Sequence, residues 1–314
     1  MSKPFLIAIC AGLISLLTAL PALNGAPGGL LLFYFAGLPI YMAGLAFGAA
    51  AGTVATVSGF AAAAVFGGAM VAGVFALVHL LPAWAVVRQA MMQRTDENGQ
   101  TEWLAPGVIV VSLTGMAATM LAAGSLALMV EGTGLSVVVS EQLNGVLSNL
   151  TPDVSGSARE DAVRQWAPLL PASAGSSWII MALVSAGIAQ ALLTRLGRNV
   201  RPTPEYSALT LPDWISWALV GAAVLSLVSG GEFRYLTQNL ALILAVPFFL
   251  LGLAVIHQWT RRRPRGTLVL FLVYIFILFV GWAGLLVTTA IGVLEQWAGI
   301  RHRFAGTGPQ DLNE

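Results

Sequence analysis

The sequence predicts an all-α protein, a polytopic transmembrane helical bundle of about nine spans, with eight to ten compatible. It forms a single integral membrane domain over residues 1–314. Three observations predict this. Hydrophobic residues make up 57% of the chain and charged residues only 9%, against roughly 25% charged in a soluble domain, so no water-facing surface can be built from this set. Apolar runs near the ~20 residues needed to cross a bilayer recur along the whole length. The arginines gather in alternate connections between those runs, as the positive-inside rule requires.

The runs lie at roughly 5–21, 28–45, 48–65, 68–90, 105–130, 173–194, 211–230, 237–259 and 267–291. Lys3 before the stretch Phe5–Leu20, with "ALNGA" after it, resembles a signal peptide. Pro27 just beyond disfavours cleavage, which predicts an uncleaved first span. The second and third runs are divided only by the short stretch 47–52. Around it, Gly44, Gly48 and Gly52 form one row of small residues and Ala55, Gly59 and Ala63 a second. Such rows let helix backbones touch, and they predict an internal packing face. Pro82 and Pro247 lie within runs and predict kinks. In a membrane these are tolerated where protein or water satisfies the freed carbonyls.

The connection 131–171 is too long for a simple loop. Leu135, Val139, Leu143, Val146, Leu147 and Leu150 recur at helical steps. Ser157 and Glu160 read as a capping box for a second helix carrying Val163, Trp166 and Leu170 on one face, which Pro168 ends or kinks. "TPDVSG" supplies the turn. The segment is expected to be an extracytoplasmic amphipathic helical hairpin.

With the N-terminus inside, the inner segments hold ten of the fifteen cations and five acids, a net charge of +5, while the outer segments sum to −4. This predicts a multi-pass protein of the bacterial inner membrane with the N-terminus cytoplasmic and the C-terminus outside. Eight tryptophans fall near predicted span ends, where an indole is most stable; Trp282 alone is expected deep. Glu131, Glu232 and Glu295 are placed near outer ends, so no acid sits mid-span. A fold-back of the last run would return the tail to the inside.

Four stretches carry a family resemblance: "LPAWAVVRQA" (81–90), "RPTPEYSALTLPDW" (201–214), "FFLLGLAVIHQW" (248–259) and "IGVLEQWAGIRHR" (291–303). Together they resemble the YybS-like family of bacterial membrane proteins, domain of unknown function number 2232, in its proteobacterial branch. The resemblance implies a membrane fold and no established activity. The first four spans also look like the substrate-binding membrane subunits of energy-coupling-factor vitamin transporters. Those subunits have about six spans, and this chain has more. It carries no nucleotide-binding motif, so energy from ATP would need separate partner subunits.

Cys10 is the only cysteine and the three histidines are scattered, which excludes an internal disulfide and a cysteine metal cluster. No HExxH motif, GxSxG elbow or Ser–His–Asp set is present. No enzyme activity, metal or cofactor is therefore expected, and a net charge of +1 gives no reason to expect nucleic acid as a partner. Ionisable groups inside a bilayer are costly and so are candidate sites. His79 sits mid-span, and with Tyr41, Gln238 and Asn239 it forms the candidate ligand set. The simpler reading is a neutral histidine bonded to a neighbouring helix. Arg88, Arg195, Arg201, His257 and Arg262 are candidates for lipid or partner contact on the cytoplasmic face, and topogenic charge explains them more simply. The absence of a mid-span acid counts against a self-sufficient ion-coupled carrier. The expected function is a small-solute-binding or transport-related membrane subunit. The alternative is a scaffold or assembly factor that docks partners on the arginine-rich face.

Cys10→Ser yields a cysteine-free background for testing the orientation. Cysteines placed at Gly99 and Gly197 are expected to be shielded from an impermeant thiol reagent in intact cells. One at Ser155 is expected to be labelled. Labelling at Gly197 would reverse the orientation.

Overall fold

A computed structural model describes residues 3–23, 25–95, 99–151, 155–261 and 263–301. In chain order the elements are α1 (Lys3–Leu23), α2 (Gly29–Tyr34), α3 (Leu38–Phe47), α4 (Ala49–Phe75), a π-helical turn (Ala76–Leu80), α5 (Leu81–Ala90), β1 (Gln93–Thr95), β2 (Thr101–Trp103), α6 (Pro106–Val130), α7 (Leu135–Leu150), α8 (Gly156–Trp166), α9 (Leu170–Arg195), α10 (Trp214–Val228), α11 (Gly231–Arg261), α12 (Gly266–Val280) and α13 (Trp282–Ala298). Among the described residues, six stretches are long and apolar enough to cross a membrane by length and composition: Lys3–Ala22, Gly29–Phe47, Ala49–Ala90, Pro106–Val130, Gly156–Arg195 and Gly231–Arg261. The helices α10 and α12 are shorter apolar helices. Among the described residues this membrane protein is thus all-α apart from two short antiparallel strands, paired Arg94 to Glu102. The Asn-Gly dipeptide at 98–99 was the available signal for that hairpin.

The chain divides into two compact units, Met1–Leu113 with Ser177–Pro204 and Thr114–Ser176 with Glu205–Glu314. In unit 1 the stretch Ala49–Ala90 holds 42 residues, about 63 Å as a straight helix and twice the ~30 Å hydrocarbon core. It folds back instead. Gly68 takes φ 78° and ψ 177°, a conformation that a side chain would strain, and the two arms lie side by side. Along them Gly59 meets Leu80 and Gly52 meets Val87. The reversal falls between the runs read as 48–65 and 68–90.

The small-residue rows are packing faces. A side chain added at Gly44 would collide with Val87, and one at Gly12 would collide with the Ala55 carbonyl and the Ser58 hydroxyl. Ala55 and Ala63 are fully buried. Lipid tails are as apolar as leucine, so this backbone approach, rather than hydrophobic burial, holds α1 on α4.

In unit 2, α13 packs on α11 by the same means. Gly252 sits against the Thr288 carbonyl and Gly292 against the Phe248 carbonyl. The last apolar run is not one span. Gly281, at φ 61°, separates α12 from α13, and Gly284 presses on the backbone of Phe276 and Ile277 as the chain returns. Arg301 donates to the carbonyls of Ser207 (3.0 Å) and Leu209 (2.8 Å) and pairs with Glu295 at 2.7 Å. Gln296 donates to the Leu211 carbonyl at 3.3 Å.

The end of α13 therefore sits where α10 begins and α11 stops. This corrects three expectations. The last described residues lie at the same end of unit 2 as segment 205–213. Glu295 lies there too, paired and buried. Trp282 is 75% exposed beside the Gly281 turn and is not deep. Residues 302 and 303 lie outside the described residues.

Both helices expected between 131 and 171 form. The Glu232 carboxylate takes the Ser136 backbone N–H at 3.1 Å and the Ser136 hydroxyl, placing negative charge on the positive end of α7. The cap of α8 is Ser155, which accepts from the Ala158 N–H at 3.4 Å; Ser157, expected as the cap, lies inside the helix. The 152–154 part of the expected turn is outside the described residues. Pro168 falls in a 3-10 turn, Ala167–Leu169, that leads into α9. Pro247 sits within α11, which runs through it to Arg261.

Valine at Gly12 or Gly292 is expected to destabilise the protein by about 1–3 kcal/mol through overpacking. Valine at Gly221, where an added side chain meets nothing within 4 Å, is expected to change stability little. Unfolding of the detergent-solubilised protein measures the difference.

Candidate functional site

Two breaks in helical pairing meet in unit 1. The first divides α2 from α3. Pro39 has no N–H to offer the Phe35 carbonyl, and the Leu38 N–H takes it at 2.9 Å. The Phe35 and Ala36 N–H groups likewise turn back three residues, to Leu32 and Phe33. The Ala36 carbonyl receives the buried Ser15 hydroxyl of α1 at 2.6 Å. The second break is the π turn. Its Leu81 N–H pairs with Ala76, one residue beyond the α register. Pro82 then lacks the N–H that Leu77 would take in the π register and Val78 in the α register. The Trp178 indole N–H answers both carbonyls, at 3.1 Å each.

His79 is carried by this turn and is 2% exposed. Its ring meets Phe33 edge-on, centroids 4.5 Å apart, and Phe75 at 5.5 Å. Its Nε2 is buried and has no hydrogen-bond partner among the described residues. Gly37, in the first break, joins the two. A side chain there would lie 3.3 Å from the Tyr41 ring and 3.7 Å from the His79 carbonyl. Tyr41 is buried. An unmade buried hydrogen bond costs about 1–3 kcal/mol. Nε2 can supply one hydrogen bond to a guest, and the aromatic rings offer apolar surface beside it. Among the described residues, no group of three or more His, Cys, Asp or Glu is placed to hold a metal ion.

Of the expected ligand set, His79 and Tyr41 come together here, while Gln238 and Asn239 belong to unit 2. Asn239 is fully buried and committed within the protein. Its Oδ1 accepts from the Ala172 N–H at 2.9 Å, and its Nδ2 donates to the carbonyls of Pro168 and Tyr235. Gln238 is half-buried.

Arg201, expected on the cytoplasmic surface, is 5% exposed. Its guanidinium donates to the carbonyls of Ala90 (3.2 Å) and Leu104 (2.7 Å). The ends of α5 and the start of α6 present those acceptors, so this arginine is drawn inward. Arg88 and Arg195 are exposed. His257 is half-buried with its Nε2 3.2 Å from the Tyr274 hydroxyl. Arg262 lies outside the described residues; beside it Arg261 pairs with Glu205 at 2.8 Å and Arg263 stacks on Trp259.

Sequence reasoning missed Ser15, Trp178 and Arg301. Trp178 was taken for an interfacial residue, although the carbonyl freed by Pro82 signalled the need for a donor. Trp178→Phe removes that donor and is expected to cost about 1–3 kcal/mol. In a Pro82→Ala background, which restores an N–H at position 82, the same change is expected to cost less. A double-mutant cycle on unfolding in detergent measures the coupling.

No curated protein and no solved structure matches the chain. The family described as "Predicted membrane protein (DUF2232)" matches residues 8–294. That match runs from α1 into α13 and takes in both helix breaks, His79 and the arginine-bearing connections, and the chain therefore belongs to the YybS-like family of membrane proteins of unknown function.

Proposed function

We propose that the protein is a small-solute-binding, transport-related subunit of the bacterial inner membrane, its N-terminus cytoplasmic and its site at His79. The observation that carries this reading is the Nε2 of His79, buried between two helix breaks and without a hydrogen-bond partner among the described residues. Membrane transporters form their substrate sites where helices are discontinuous. Irregular backbone at membrane depth is otherwise kept where protein or a cavity satisfies it, and π turns recur at functional sites. The guest is a small molecule with one hydrogen-bonding group for His79 and an apolar or aromatic body for Phe33, Phe75 and Tyr41. Any energy input comes from separate subunits. No solved structure supports the likeness to energy-coupling-factor subunits, so the reading stands on the site alone.

The exposed arginines, Arg88, Arg195, Arg198, Arg261 and Arg263, favour the scaffold alternative, in which partners dock on that charge. Native purification followed by mass spectrometry separates the two: a retained small molecule supports the first, and stoichiometric protein partners without one support the second. His79→Leu keeps the bulk and removes the polar group. It is expected to abolish ligand retention while stability changes by at most about 2 kcal/mol. Unchanged retention in a stable His79→Leu protein would discard the site.

A further inference from the structure

We propose that unit 1 carries a site for one anionic phospholipid on the α4–α5 hairpin. An acyl chain lies in a side groove and the headgroup phosphate sits on Arg88. The groove runs between the two arms. Thr53, Val57 and Phe60 form one wall; Ala76, Leu80 and Trp84 form the other. It is open along one side and holds about 250 Å³, just under the ~300–1,000 Å³ of small-molecule sites. The exposed surface of the lining is entirely apolar, and the hydroxyls explain why. Thr53 and Thr56 donate back to the carbonyls of Ala49 (3.0 Å) and Gly52 (2.9 Å), and the Trp84 indole N–H donates to the Thr53 hydroxyl at 3.2 Å. The Thr53 and Thr56 hydroxyls and the Trp84 indole N–H are thus committed within the hairpin. What remains is methyl groups and ring faces, suited to hydrocarbon and to no polar solute.

The groove also has a charged end. From Thr53 to Phe60 it covers about 10 Å of helix. Ala76 of the π turn lines one part of it and Trp84 another. One helical turn further lies Arg88, exposed, with its guanidinium 5.6 Å above the Trp84 ring. No described carboxylate forms an ion pair with it. An arginine fork matches a phosphate in two directions at once, and the indole beneath it restricts the side chain to the groove mouth. A bilayer presents this combination: an acyl chain running inward from a charged phosphate. A bare apolar helix of another protein would leave the guanidinium unanswered, and a free phosphate would leave the groove empty. The site is distinct from His79, which does not line the groove.

The test uses the full chain in nanodiscs of equal phosphatidylglycerol and phosphatidylcholine, released for native mass spectrometry. The wild-type protein is expected to retain one phosphatidylglycerol in preference to phosphatidylcholine. Arg88→Ala is expected to reduce that preference about fivefold, the factor for one arginine at an anionic headgroup, and Arg88→Lys to recover part of it. Ala76→Phe fills the groove from its lining without touching Arg88 and is expected to lose both lipids. Val57→Trp does the same from an exposed position, should Ala76→Phe disturb the turn. Equal retention of the two lipids by the wild type, unchanged preference in Arg88→Ala, or undiminished retention in both filled variants would overturn the site. So would a second copy of the chain cross-linking through Val57→Cys in place of lipid.

Discussion

A backbone carbonyl that its own helix cannot pair has no water to turn to inside a bilayer. This protein breaks its helices repeatedly, and distant side chains answer the breaks. Ser15 reaches Ala36, Trp178 reaches Leu77 and Val78, and Asn239 reaches Pro168. At the arginine-bearing ends, Arg201 gathers Ala90 and Leu104, and Arg301 gathers Ser207 and Leu209. Each donor is far from its acceptor in sequence, so each bond that satisfies a carbonyl also fixes one element against another. The irregular backbone around His79 is held in this way. Without Ser15 and Trp178, the carbonyls of Ala36, Leu77 and Val78 would lose these donors while Pro39 and Pro82 still offered no N–H in their place.

The second constraint is close approach. Where two helices must touch, glycine stands at the contact: Gly12 on α4, Gly52 on Val87, Gly252 and Gly292 between α11 and α13. These contacts are backbone to backbone or nearly so, and they leave no slack. The opposite case is α12, which buries no residue and presents its aromatic and aliphatic side chains outward. The bundle thus has tight seams set by small residues and outer surfaces set by large ones, the distribution expected when the surrounding solvent is itself apolar.

Much of this was legible in the chain. Hydropathy located the long helices, and the small-residue rows marked the seams. Helical spacing found α7, and it found α8 with its start displaced by a cap two residues earlier. His79 and Tyr41 stood in one candidate set with Gln238 and Asn239, chosen because polar groups are rare at membrane depth; that set did not separate the residues of unit 1 from those of unit 2. A fold-back of the last run was weighed as the alternative, because the apolar stretch continues to residue 300 and is longer than a span requires. The turn was not placed at Gly281, because the chain is apolar on both sides of it and a lone glycine there resembles many others. Arg201 and Arg301 were not legible as internal donors: in a sequence, an arginine in a connection reads as topogenic charge, and only the positions of carbonyls reveal another use. Asn239 was grouped with His79 on polarity alone, whereas its partners are Pro168 in the turn before α9, Ala172 at the start of α9 and Tyr235 on its own helix.

The clamp on Pro82 has a consequence for how the chain is made. Trp178 follows Pro82 by 96 residues. At synthesis rates of about 5–20 residues per second, the α4–α5 hairpin waits roughly 5–20 s before its donor leaves the ribosome. Through that interval the carbonyls of Leu77 and Val78 need a temporary host: water in the insertion channel, a chaperoning helix or a different local winding of the backbone. The π turn in its finished form is therefore a late feature of biogenesis, completed when α9 enters the membrane, although the residues that form it are among the first to arrive.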